Sequence, residues 1–194
     1  MISKVHLALA LLLGLRLTAA SAADADWPHE GIRDEIYRAA EQALQSNAAT
    51  LSKQDVLAII DYGLPSNQPR LYVLDRHAGT VTAYLVAHGR GSDPDFDGLA
   101  TIFSNEPNSR ASSLGAYLTG DTYEGKHGLS LKLDGLDASN SNAAQRAIVI
   151  HGASYVDPAR AVLGRSWGCP AVETRYVAEI VDKLAGGALL YIGH

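Results

Sequence analysis

Cysteine is nearly absent. One residue, Cys169, occurs in 194, which excludes an internal disulfide and any zinc site built from several thiolates. No paired-histidine ligand motif appears either, so a zinc hydrolase has little support. A basic excess is also missing. The formal net charge is −5 and no block of like charge stands out, which argues against a nucleic-acid partner. The chain has no internal repeat and no Pro/Gly-rich linker that would divide it. What is present is an ordinary globular balance, 47% hydrophobic and 19% charged with 18 Gly and 7 Pro, which excludes a disordered chain, a collagen and a coiled coil. The length suits one domain with a small extension.

Long hydrophobic runs are limited to the beginning. Val5 to Leu15 is apolar, but it is too short to cross about 30 Å of hydrocarbon, and Arg16 interrupts it. Lys4 precedes the run, and Ala20, Ala22, Ala23 and Ala25 follow it. This is the pattern of a cleaved secretory signal, read here as residues 1–23. No cysteine lies near the cleavage region, so a lipid anchor is excluded. Export sharpens the meaning of Cys169. Structural cysteines outside the cytoplasm normally come in pairs. An unpaired one is a buried inert residue, an intermolecular bridge or a nucleophile.

Periodicity predicts a helix over 31–47, with Ile32, Ile36, Ala39, Ala40, Ala43 and Leu44 at helical spacing. Ser52-Lys53-Gln54-Asp55 resembles a capping box and predicts a second helix carrying Val56, Ile59 and Ile60, stopped by Pro65 and Pro69. The pattern then turns to strands. Residues 70–75 and 80–88 form a hairpin around a turn at Gly79. A loop covers 89–98. Short strands are expected near 99–103, 114–119 and 129–133, and a buried strand over 146–151. A helix over 174–184 and a closing strand over 188–192 complete the chain. The division expected is a helical extension, 24–56, before a mainly β domain, 57–194.

Two places meet the needs of thiol chemistry. His151-Gly152 ends the apolar strand, and Ser166-Trp167-Gly168-Cys169-Pro170 follows. The thiolate is the attacking species, and a histidine either holds it as an ion pair or takes its proton during attack. Gly168 lets the backbone approach a carbonyl, and the amides of Gly168 and Cys169 offer an oxyanion site. On composition and spacing alone, a buried structural cysteine is as good a reading.

These residues resemble the signature of the murein L,D-transpeptidases, the YkuD-type catalytic domain family, in which a His-Gly pair is followed by a Ser/Thr-His-Gly-Cys run. The resemblance extends through RLYVLDRHAGTVTAYLVAHGRGSD, FSNEPNSRASSLGAYLTGDTYEGKHGLSLKLDGLD, RAIVIHGASYV and LGRSWGCPAVE, roughly residues 57–192. It implies an α+β, mainly β fold: an L,D-transpeptidase-like β-sandwich or barrel with N-terminal helices and one helix after the cysteine. It also implies an exported enzyme, periplasmic or secreted if there is no outer membrane. Cys169 would attack an L-to-D bond of a peptidoglycan stem peptide, with His151 activating the thiol and Gly168 and Cys169 holding the oxyanion. A diaminopimelate amine on another stem would then take the acyl group from the thioester. No cofactor or metal is implied, and carbapenems are expected to acylate Cys169.

The chain departs from the family where Trp167 replaces the motif histidine and Ala171 the usual Asn or Arg. That places substrate choice in question: links through position 1 of the donor stem rather than position 3. Gly152, Ser166, Trp167, Arg165 and His127 are the candidate substrate-binding residues. His127 is weighed against a plain turn histidine, and Arg146 reads as an ordinary surface arginine. Ser104, Asn105, Asn108, Ser109, Ser112 and Ser113 either read peptide or cap turns. His88 reads as a satisfied or exposed histidine. Asp93, Asp95 and Asp97 alternate but lack the later Glu of a calcium loop, and so read as solvated. Competing functions are hydrolysis by the same thiol, a non-catalytic peptidoglycan-binding protein and a sortase-like enzyme. The sortase lacks its Thr-Leu-x-Thr-Cys run here.

Overall fold

The computed structural model describes residues 27–194, so the expected export signal lies outside the described residues. The described residues are mainly β, as expected, and form one nine-stranded sheet and two α-helices. Helix α1, Asp34–Asn47, opens it. Asp34 and Glu35 in the first turn complement the helix dipole, and Ile36, Tyr37 and Ala40 turn inward.

The predicted second helix does not form. Residues Val56–Asp61 are strand β1, buried along its whole length. Leu57 and Ile59 join one core with Trp27, Ile36 and Leu189. Ala58 and Ile60 join another with Tyr117, Leu131 and Ile150. A strand covered on both faces has no polar alternation to betray it. Strand β1 runs parallel to β9, Leu189–Gly193, and antiparallel to β2, Leu71–Asp75.

The predicted hairpin holds: β2 pairs with β3, Thr80–Tyr84, around Gly79 at φ 65°. Strand β4 is short, Val86–Ala87. The strand expected near 99–103 is irregular chain, with the Thr101 and Ile102 amides both donating to Ser92 O. Strands β5, Gly115–Gly125, and β6, Gly128–Gly135, form a long hairpin whose two-residue tip is Lys126-His127. Strand β7, Val149–Gly152, pairs with β6 and runs parallel to β8, Ala171–Val172. A 3-10 turn, Thr174–Tyr176, leads into α2, Val177–Leu184, as the sequence predicted. The full order is β3-β2-β1-β9-β5-β6-β7-β8-β4. The β7/β8 pairing brings the two sequence motifs together.

Candidate active site

His151 lies on β7, opposite Ser130 of β6 and Ala171 of β8. Its backbone amide donates to Pro170 O at 3.4 Å, which ties it to the residue after Cys169. The ring is 3% exposed. Its Nδ1–H donates to the Gly152 carbonyl at 3.0 Å, which leaves Nε2 as the basic nitrogen. Burial holds its pKa below the ordinary value. The nearby His127 and Lys126 push the same way, against the Gly152 bond. His127, on the hairpin tip, stacks on His151 with centroids 4.3 Å apart. The structure thus brings His127 to the site.

The cysteine loop is held by Ser166. Its Oγ accepts from the Gly168 amide at 3.0 Å and donates to the Cys169 carbonyl at 2.6 Å. The Gly168 amide, expected to face an oxyanion, is therefore already engaged, and the Cys169 amide is the remaining donor of that pair. Gly168 has φ 124°. A Cβ there would lie 2.9 Å from Ala111 O and 3.0 Å from an Arg146 nitrogen, so only glycine fits. Gly152 is confined less strictly: a Cβ there would lie 3.2 Å from Thr174 Cα.

Cys169 is half-buried, and its Sγ contacts Ala147 O at 3.7 Å. Burial pushes the thiol above its ordinary value; the Val149 amide, Arg146, Lys126 and its own amide pull against this. Both shifts favour the neutral form, of the thiol and of the imidazole. Of the two readings left open by the sequence, proton transfer during attack fits this better than a resting ion pair.

Arg146 is not an ordinary surface arginine. It is half-buried and donates to Ser104 O at 2.8 Å, Ala111 O at 2.5 Å and Ser113 Oγ at 3.3 Å, so the polar stretch 104–113 is largely its anchor. Arg165 donates to Asp93 O and lies over the Phe96 ring, 4.3 Å from its centroid; it braces the 93–98 loop. Trp167, two positions before Cys169, is 65% exposed.

Asp93 is buried, not solvated. It accepts from the Asp97 and Gly98 amides and from His88 Nε2–H at 3.2 Å. His88 Nδ1 in turn accepts from the fully buried Arg70 at 2.8 Å. This group sits under the site: the Gly89 amide donates to Ser112 Oγ at 3.0 Å, and Ser112 Oγ donates to Gly168 O at 3.2 Å. Sequence reasoning missed Arg70, and it named Ser112 as a peptide reader or turn cap rather than as a partner of the cysteine loop. Their partners lie 18 and 56 positions away, and no local pattern signals them.

Solved structures similar to the chain include several L,D-transpeptidases. L,D-transpeptidase from Mycobacterium smegmatis shares 12% identity and a TM-score of 0.47, with 72% of this chain and 59% of that one covered. L,D-transpeptidase 3 from Mycobacterium tuberculosis shares 10% and 0.48, with 72% and 61% covered. An L,D-transpeptidase solved in complex with imipenem shares 12% and 0.45, with 72% and 59% covered. The chain thus spans about three-fifths of the length of these solved relatives. No curated protein matches it. A family model described as the L,D-transpeptidase catalytic domain matches residues 28–192, and the chain belongs to the L,D-transpeptidase catalytic-domain family.

Proposed function

We propose that the protein is an exported peptidoglycan L,D-transpeptidase acting through Cys169. The observation that carries this is the meeting of the two motifs: the His151 amide bonds Pro170 O at 3.4 Å, directly after the cysteine. His151 Nε2 takes the Sγ proton as sulfur attacks the carbonyl of the L-to-D bond. The Cys169 amide stabilises the oxyanion. Collapse breaks the C–N bond, the imidazolium returns its proton to the leaving amine, and a thioester remains. A diaminopimelate amine then attacks the thioester, giving up a proton to His151, and Cys169 is released as the thiol. The product is a 3-3 cross-link, or a 1-3 link if Trp167 redirects the donor. Carbapenem acylation of Cys169 follows from the same nucleophile, and an imipenem complex is known for a family relative. Residues 1–23 direct export to the periplasm.

Mature protein and Cys169→Ala are incubated with disaccharide-tetrapeptide and disaccharide-pentapeptide, and products are read by fragmentation mass spectrometry. Cysteine-dependent dimers are expected, with the fragment lost identifying the bond cut. Shortened monomers without dimers would make the enzyme a hydrolase. No change with the thiol reduced would favour a binding protein.

A further inference from the structure

Positive charge collects around Trp167. The Arg110 guanidinium lies 4.6 Å from the indole centroid and Lys126 Nζ 5.9 Å. Arg146 lines one cleft that Trp167 borders together with Arg110, and Arg90 and Arg165 line a second that Trp167 also borders. None of these five cations forms an ion pair among the described residues, although the chain carries a net −5. Uncompensated cations gathered beside one exposed aromatic face make a site for an anion that also has apolar surface.

The cleft on the Arg110 side has a volume of about 250 Å³ and is lined by Pro107, Asn108, Arg110, Gln145, Arg146 and Trp167. Its wall is strained. Asn108 and Arg110 have φ 65° and 55°, a region disfavoured for residues with a Cβ. The segment is held there by the Gly91 amide, which donates to Arg110 O at 2.9 Å, and by Arg146 on Ala111 O. Stacking on an indole leaves the edge of a guanidinium free to bind a carboxylate in its plane.

We propose that this cleft is a carboxylate subsite, in which Arg110 on the Trp167 face binds the α-carboxylate of the D-residue leaving the donor stem. The identity of that ligand rests on the transpeptidase reading; the binding chemistry does not. Pro107 and the indole enclose the small side chain, and Arg146 adds unpaired charge from below. A carboxylate of the same chemistry is carried by the D-centre of diaminopimelate on the acceptor stem.

The test needs no turnover. Mature Cys169→Ser protein is labelled with 15N. Its two tryptophans, buried Trp27 and exposed Trp167, give two indole N–H resonances. These are followed while N-acetyl-D-alanine, its carboxamide and meso-diaminopimelate are added separately. N-acetyl-D-alanine is expected to move the Trp167 resonance and not that of Trp27. The carboxamide is expected to bind about tenfold more weakly, the loss of a charge-assisted contact. Arg110→Gln removes that preference, whereas Arg38→Gln on α1 keeps it. A Trp167 resonance that no carboxylate moves, equal affinity for acid and amide, or a preference surviving Arg110→Gln would each overturn the proposal. Tighter binding of diaminopimelate than of N-acetyl-D-alanine would overturn its assignment to the leaving residue. Failure of the cross-linking assay with this binding intact would count against the transpeptidase reading alone.

Discussion

The Arg70–His88–Asp93 group sets an acid limit on stability. His88 is 1% exposed and accepts from Arg70, which cannot give up its place as a donor. Protonating Nδ1 would put two donors face to face. Burial, with Arg70 beside it, lowers the His88 pKa from 6.5 to about 4, against the pull of Asp93. The unfolded chain therefore takes up a proton near pH 6.5 that the folded chain refuses until about pH 4. Stability is complete above that window and falls as pH drops through it, by about 3 kcal/mol at 1.36 kcal/mol per pH unit. Asp93 acts elsewhere. Against the cost of burial, the Gly98 amide, His88 and the Asp97 amide hold its pKa below 3.8, so its contribution is lost only below the window.

The perturbation is His88→Gln, whose carbonyl accepts from Arg70 and whose amide donates to Asp93 without titrating. Urea unfolding at pH 7, 6, 5 and 4 would give the free energy of each protein. His151 also loses stability on acidification, for the same reason, but it is common to both proteins and cancels in the difference. The wild type should lose about 3 kcal/mol more than His88→Gln between pH 7 and 4. Parallel curves for the two proteins would refute the reasoning.

Ser166→Ala strands the buried Gly168 amide and the Cys169 carbonyl, and should cost about 2–3 kcal/mol in urea unfolding with an unchanged m-value. Gly168→Ala meets Ala111 O at 2.9 Å at a φ of 124°, and should cost at least about 2 kcal/mol by the same measurement. Ala147→Gly relieves a φ of 53° and should raise stability by up to about 1 kcal/mol. Because burial raises the Cys169 pKa, its rate of alkylation by iodoacetamide should climb through pH 9; a plateau below pH 7 would show a resting thiolate.

What the sequence revealed and what it hid follow from how far each feature reaches along the chain. The β2–β3 hairpin and α2 were legible because turn chemistry and helical spacing are local. Residues 56–61 were misread because their alternation separates two apolar cores, Leu57 and Ile59 on one side and Ala58 and Ile60 on the other; apolar on both sides, it mimics a helix face. Cys169 and His151 were legible as types in a motif. Arg146 was not, because what distinguishes it is its set of acceptors, such as Ser104 O, 42 positions away. Asp93 looked like part of an acidic loop because burial by His88 and the Gly98 amide cannot be read from alternating aspartates.

The backbone strain in this fold is concentrated where the chemistry is assigned. Among the described residues, the non-glycine positions at positive φ are Phe96, Asn108, Arg110 and Ala147. Phe96 supports Arg165, Asn108 and Arg110 line the cleft beside Trp167, and Ala147 presents its carbonyl to the Cys169 thiol. Such conformations persist only where surroundings over-determine them. Here the surroundings are polar: Arg146 gathers the carbonyls of Ser104 and Ala111, and the Asp93 carboxylate gathers the amides of Asp97 and Gly98. The apolar cores carry the sheet, while charged side chains buried without a full counter-ion shape the loops. A cation held by neutral acceptors, as Arg146 is by two carbonyls and two serine hydroxyls, positions backbone and still leaves its charge to act on its neighbours. That is the useful property next to a thiol whose burial otherwise opposes ionisation. Replacing Arg146 by Met should therefore act twice. It releases the 104–113 segment and drives the Cys169 pKa higher still. Lysine at the same place would restore much of the charge but not the several N–H bonds, so the two effects separate. Arg146→Lys should keep the pH profile of thiol alkylation close to wild type while losing stability, and Arg146→Met should shift the profile upward as well. A profile that does not move in Arg146→Met would mean that Arg146 is a brace and nothing more.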